Sequence, residues 1–156
     1  MHSRIQIFGF FSISIILFSC SGEKKSKSDH TTSNKEQTTL QAETLSRDMQ
    51  DGLDIYKRYC LSCHQLKGNG VSGMYPPLAG NPDLKGPIDS LINTVLRGKA
   101  GRINVNGTEY SSIMAPHNYL TDDQVANVLN YLLNGMNKLD LHISSSEVSA
   151  IRRKFN

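Results

Sequence analysis

The sequence predicts an all-α domain: a few short helices and one small hairpin, wrapped around a large apolar group that the chain itself does not supply. Three observations lead there. Apolar residues recur at helical spacing in three stretches and more weakly in a fourth, with long Gly- and Pro-rich loops between them. The chain contains no Trp, and so few helices joined by so much loop make a poor core without a staple. The pentapeptide Cys60-Leu61-Ser62-Cys63-His64, at the end of the first helical stretch, offers the chemistry for one.

The N-terminus is read apart from the domain. Residues 1–19 place Arg4 before the apolar run "IQIFGFFSISIILFS". That run has the length of an export signal and falls short of the ~20 residues a membrane-spanning helix needs. Leu17-Phe18-Ser19-Cys20 resembles the lipobox of bacterial lipoproteins, which implies that Cys20 is lipidated and becomes the mature N-terminus. The plainer alternative is an ordinary signal peptide with an incidental cysteine. Residues 20–44 follow, and from Ser21 onward their only aliphatic side chains are Leu40 and Ala42. Such a segment buries too little apolar surface to offset its chain entropy and reads as a disordered tether, with His30 a solvated linker residue. As a coil it would span about 25–30 Å.

The domain is expected over residues 45–140. Ser46 serves as N-cap of a first helix with Met49, Leu53, Tyr56 and Cys60 on one face, Asp48 and Asp51 in its first turn and Lys57 and Arg58 near its end. A second helix starts at Pro87, carries Ile88, Leu91, Ile92, Val95 and Leu96 as its apolar stripe and ends at Gly98. A third opens on a Thr121/Gln124 capping box, buries Val125, Val128, Leu129 and Leu132, and stops at Gly135. Asn106-Gly107 within "INVNGTEY" signals the hairpin, and residues 65–86 read as loop. The tail, residues 141–156, predicts a further helix with Val148, Ile151 and Phe155 on one face and Arg152, Arg153 and Lys154 away from it. It either folds back on the domain or docks on a partner or membrane surface.

Charge narrows the partners. Residues 45–140 carry nine Lys or Arg and nine Asp or Glu, so the domain is formally neutral and lacks the basic stripe of a nucleic-acid face. No Ser-His-Asp set, carboxylate pair or phosphate-binding loop is visible, and Gly68, Gly70 and Gly73 read as turn glycines. No catalytic site of an enzyme is expected.

Four chemistries compete for Cys60, Cys63 and His64. A disulfide is possible in an exported protein. A thioredoxin-like redox pair wants a helix start after a strand, and here the pair follows a helix. Structural zinc wants four ligands, whereas no second cysteine pair exists and His117 and His142 stand alone. Cys-x-x-Cys-His is the attachment signature of c-type haem, in which both thiols bond the haem vinyl groups and the adjacent histidine reaches the iron. One covalently attached haem c is the expectation.

From about Leu45 to Leu133 the sequence resembles a class I, single-haem cytochrome c. The resemblance rests on the haem motif, on Gly52 and Tyr56 before it, on Val128 and Tyr131 in the third helix, on "YPPLAGNP", and on "INVNGTEYSSIMAP". It implies the cytochrome c fold and a crossing of the first and third helices, with Gly52 permitting close approach. It also implies that the Pro76 carbonyl accepts a hydrogen bond from His64, and that Met114 is the second axial ligand of the iron opposite His64. Met74, two residues from Pro76, would then be held on the histidine side, while Met114 lies 50 residues beyond His64, far enough to reach the other face. His117 is the alternative ligand and is read as a surface histidine.

His/Met ligation fills both axial positions and points to electron transfer. The expected function is a periplasmic-side, lipid-anchored carrier of single electrons between respiratory donor and acceptor proteins of a bacterial cell envelope. Its alternatives are a haem subunit of a larger dehydrogenase, oxidase or reductase, and a haem-based sensor or weak peroxidase.

Overall fold

The computed structural model describes the backbone of residues 32–154 and the side chains of residues 46–154. The expected export signal, Cys20 and Phe155 lie outside the described residues. Among the described residues, no helix is long and apolar enough to cross a membrane.

Helix α1 spans Thr32–Tyr59, 28 residues or about 42 Å of helix. It begins well before Ser46, which is therefore an interior residue and not a cap, and it takes in the second half of the stretch expected to be coil. The segment from Thr32 to Leu45 contains no Gly or Pro, and although Thr is its commonest residue, eight of its 14 residues are the better helix formers Lys, Glu, Gln, Leu or Ala. Extending an existing helix through such residues avoids the cost of nucleating one. After α1 come α2 (Leu61–His64), a 3₁₀ turn (Pro82–Lys85) and α3 (Ile88–Arg97). The hairpin strands β1 (Ile103–Val105) and β2 (Thr108–Tyr110) follow, then α4 (Asp122–Asn130) and α5 (Ser145–Arg153). The strands pair antiparallel, Ile103 against Tyr110 and Val105 against Thr108, around the Asn106-Gly107 turn.

The frame is the crossing of α1 over α4. A Cβ on Gly52 would lie 2.2 Å from the Asn127 carbonyl oxygen and 2.8 Å from Tyr131 Cβ, so the two helices touch backbone to backbone there. Tyr56 is fully buried, its ring 5.6 Å from that of Tyr131. Asn127 supplies the backbone at the crossing, and Val128 beside it lines the interior cavity.

Two further helix ends depart from expectation. Pro87 is extended (φ −57°, ψ 133°) and caps α3 from outside, its carbonyl accepting from the Ser90 and Leu91 N–H groups. Gly135 does not stop the last core helix, because α4 widens into a π-helical stretch over Tyr131–Met136 that includes it. The stop comes at Asn137, whose side-chain amide donates to the Leu132 carbonyl at 2.7 Å and satisfies an acceptor the helix end leaves free. The Thr121/Gln124 capping box at the start of α4 forms as expected.

The tail folds back. Val148 and Ile151 of α5 are buried in the same core as α3 and α4. Just before α5, the amide of Asn130 (6 % exposed) brackets the backbone of Ile143, donating to its carbonyl and accepting from its N–H, both at 2.8 Å. Residues 141–154 are thus packed against the domain instead of trailing from it.

Candidate functional site

The core is hollow on one side. A cavity of about 760 Å³ opens between α2, the loop at 75–87, α3, the segment at 110–117 and the inner face of α4. That is within the ~300–1,000 Å³ of cofactor sites. Cys60, Cys63, His64, Pro76 and Met114 all line it. Much of the remaining wall is aliphatic, including Leu78, Leu91, Leu129 and Leu132, while Lys85, Lys99 and Asp83 carry the charges.

One wall is built locally. The backbone turns from α1 into α2 with the His64 N–H donating to Cys60 O, which places both cysteines and the histidine on a single helical turn. The buried Tyr56 hydroxyl donates to Gln65 O at 2.6 Å and holds the exit of that turn, where Gln65 adopts φ 64°. Burial, and secondarily Cys60 and Tyr131, keep this phenol far above its usual range. His64 is 8 % exposed, and its Nδ1 lies 3.0 Å from the Pro76 carbonyl. With Nδ1–H donating there, Nε2 remains as the free lone pair of a neutral ring. Burial lowers the pKa of His64; the Pro76 hydrogen bond opposes this and His117 adds to it. A neutral imidazole oriented through its other nitrogen is what an iron ligand requires.

The cysteine chemistry narrows too. No disulfide joins Cys60 to Cys63. Burial, with Cys63 adding, pushes the Cys60 thiol up to about 11, the opposite of the lowering that a thiol–disulfide exchange pair uses. No three His, Cys, Asp or Glu side chains converge as an ion site among the described residues.

A second wall is assembled from distant segments. Met114 exchanges both backbone hydrogen bonds with Lys99, at 2.8 and 3.0 Å, and the His117 N–H donates to Val95 O. Gly98, at φ 71°, is pressed on this loop, since a Cβ there would sit 2.2 Å from Met114 O. His117 is half-buried, not fully on the surface. It lines the cavity with Nδ1 2.9 Å from Ala115 O, its ring grouped with Tyr59 and Tyr119. Met74 is 50 % exposed and not on the cavity wall, and Met114 is the sole methionine lining it among the described residues.

Sequence reasoning missed several supports. Asn137 grips the loop beyond Pro76, donating to Leu78 O and accepting from the Gly80 N–H. Asn81 steadies the same loop through Pro77 O and the Asp83 N–H. Arg152 bonds the segment before α4. Only Asn81 had a local signal, an Asn immediately before a Pro at a turn.

A short-helix fold around such a cavity, with two thiols, an oriented imidazole and a thioether on its walls, defines a protein built to hold a covalent haem. The cytochrome c family model matches residues 49–135, and the chain belongs to the cytochrome c family, whose cofactor is covalently attached haem c. Cytochrome c-552 of Thermus thermophilus is 38 % identical over 86 residues, covering 53 % of this chain and 65 % of that protein. The cytochrome c subunit of alcohol dehydrogenase (quinone) of Gluconobacter oxydans is 33 % identical over 105 residues, 65 % of this chain but 22 % of that subunit. The fructose dehydrogenase cytochrome subunit of Gluconobacter japonicus is 32 % identical over 108 residues, again 22 % of its length. This chain thus spans less than two thirds of each of these relatives.

Proposed function

We propose that the protein is an electron carrier of the bacterial cell envelope, anchored by a lipid at Cys20 on the periplasmic side of a membrane, that passes single electrons between donor and acceptor proteins. The single observation that carries the redox part is the convergence of Cys60, Cys63, His64 and Met114 on one apolar cavity. Cys60 and Cys63 would hold the haem covalently, and His64 and Met114 would be the two axial ligands. Haem bound in this way supplies a one-electron couple whose ferrous form is favoured by the neutral thioether. The chain's own part would be to keep the imidazole aimed through Pro76 O, to present the Met114 thioether to the same cavity and to keep water off the apolar walls.

The ferric protein should show a weak far-red absorption from sulfur-to-iron charge transfer. Met114→Ala should abolish that band and lower the reduction potential; an unchanged band in this variant would remove Met114 from the site. For the anchor, Cys20→Ser should move the protein from the membrane to the soluble fraction. Equal partitioning of both forms would overturn the lipid reading.

A second reading is favoured by relatives that are cytochrome subunits of dehydrogenases. In it, this chain is a permanent haem subunit of such a complex. Co-purification with a stoichiometric partner at high salt would support it over the free carrier.

A further inference from the structure

The cytochrome c match ends at residue 135, yet the chain beyond it returns to the Met114 wall. Arg152, on the last turn of α5, directs its guanidinium nitrogens to three acceptors. Nε donates to Asp122 Oδ1, and the two terminal nitrogens donate to Asn118 O and Leu120 O, all at 2.7 Å. Both carbonyls belong to the segment that leads from Met114 into α4.

Besides the His117 and Tyr119 rings, which pack on Tyr59 of α1, that segment has few holds of its own. Ala115, Pro116, Asn118 and Tyr119 are exposed, Tyr119 by 62 %. Its upstream end is tied to Lys99 and Val95, and its downstream end to buried Leu120 and to Arg152. The helix carrying the guanidinium is itself fixed, since Val148 and Ile151 are buried in the core. The Arg152–Asp122 pair is about a quarter exposed on each side, so solvent screens it only in part. A planar fork meets three acceptors at once, which an ammonium on a flexible stem does not reproduce.

We propose that Arg152 is a positioning residue for Met114: it pins the downstream end of the methionine loop to α5 and thereby suppresses the loop opening through which an outside ligand replaces the thioether. The inference rests on Met114 being the second axial ligand. Opening must break the two carbonyl bonds, so an outside ligand binds in proportion to the small fraction of molecules in which they are broken.

The test is imidazole titration of the ferric holoprotein, followed by loss of the far-red band, in the unaltered protein, Arg152→Met and Val148→Ala. Arg152→Met keeps most of the stem's packing and removes the fork. It should raise the apparent imidazole affinity about tenfold. Val148→Ala removes buried methyl groups while leaving the guanidinium fork and its carbonyl partners in place, and should lower the melting temperature while leaving imidazole affinity within about twofold. An Arg152→Met affinity within about twofold of the unaltered protein would overturn the proposal, as would a Val148→Ala protein that matches Arg152→Met. A far-red band missing from the unaltered protein would instead bring down the Met114 reading, and this one with it.

Discussion

The two walls of the cavity are held in opposite ways. The His64 wall is a local construction: Cys60, Cys63 and His64 share one helical turn, Tyr56 reaches Gln65 O from one turn earlier, and Pro76 lies twelve residues on. The Met114 wall is a loop tied to Lys99, Val95 and Arg152, partners from α3, its following turn and the far end of the chain. Each wall also has a left-handed glycine pressed against a carbonyl. A Cβ on Gly70 (φ 63°) would come within 2.6 Å of Pro76 O, and one on Gly98 (φ 71°) within 2.2 Å of Met114 O. The contrast teaches which side yields. Short-range contacts are restored quickly after a fluctuation, whereas a loop held by remote partners opens as a unit when one of them lets go.

The largest expected effect removes the group both walls share. Changing Cys60 and Cys63 together to Ala should leave haem extractable by acidified organic solvent and broaden or abolish the cooperative thermal transition seen by circular dichroism. Retention of haem through extraction would show that neither thiol holds it.

Next come the paired glycines, which sharpen the contrast. Gly70→Ala and Gly98→Ala each force a methyl against backbone in a left-handed conformation, and each should cost about 1–3 kcal/mol in denaturant unfolding of the holoprotein. Their spectra should differ. Gly98→Ala should weaken the far-red band. Gly70→Ala should leave that band in place and shift the proton resonances of the His64 ring, because the Pro76 carbonyl moves. If both variants lose the band alike, the walls are not independent.

The smallest effect lies at the start of α5. Glu147 accepts from Ser144 in a capping box, and those hydrogen bonds lower its pKa. A carboxylate with a depressed folded pKa contributes stability that is complete above its unfolded pKa and disappears as pH falls through the folded value. Glu147 is exposed, so solvent keeps the contribution small. Glu147→Gln should flatten the acid limb of the melting-temperature profile slightly and leave the neutral-pH value nearly unchanged; a steeper acid limb would contradict this.

What could be read in advance follows the same division. The Cys60–His64 pentapeptide, the Thr121/Gln124 box and the Asn106-Gly107 turn are signals complete within a few residues, and each forms where expected. The α1 start failed because Ser46 has the chemistry of a cap, while helix-favouring residues before it let the helix continue. Gly135 failed as a stop because a neighbouring Asn137 amide reaches back to Leu132 O. Arg152 looked like one of three cations on the solvent side of a tail helix. Its carbonyl partners lie 32 and 34 residues away, and nothing in the local pattern announces them.

The sequence by itself determined the family, the haem-binding turn and the elements that surround it, because those depend on residue types at fixed short spacings. Only the tertiary structure decided how the Met114 loop is restrained and that the tail belongs to the domain. Those outcomes turn on backbone carbonyls and N–H groups, which every residue carries, meeting side chains whose distance in space the order of the chain does not encode.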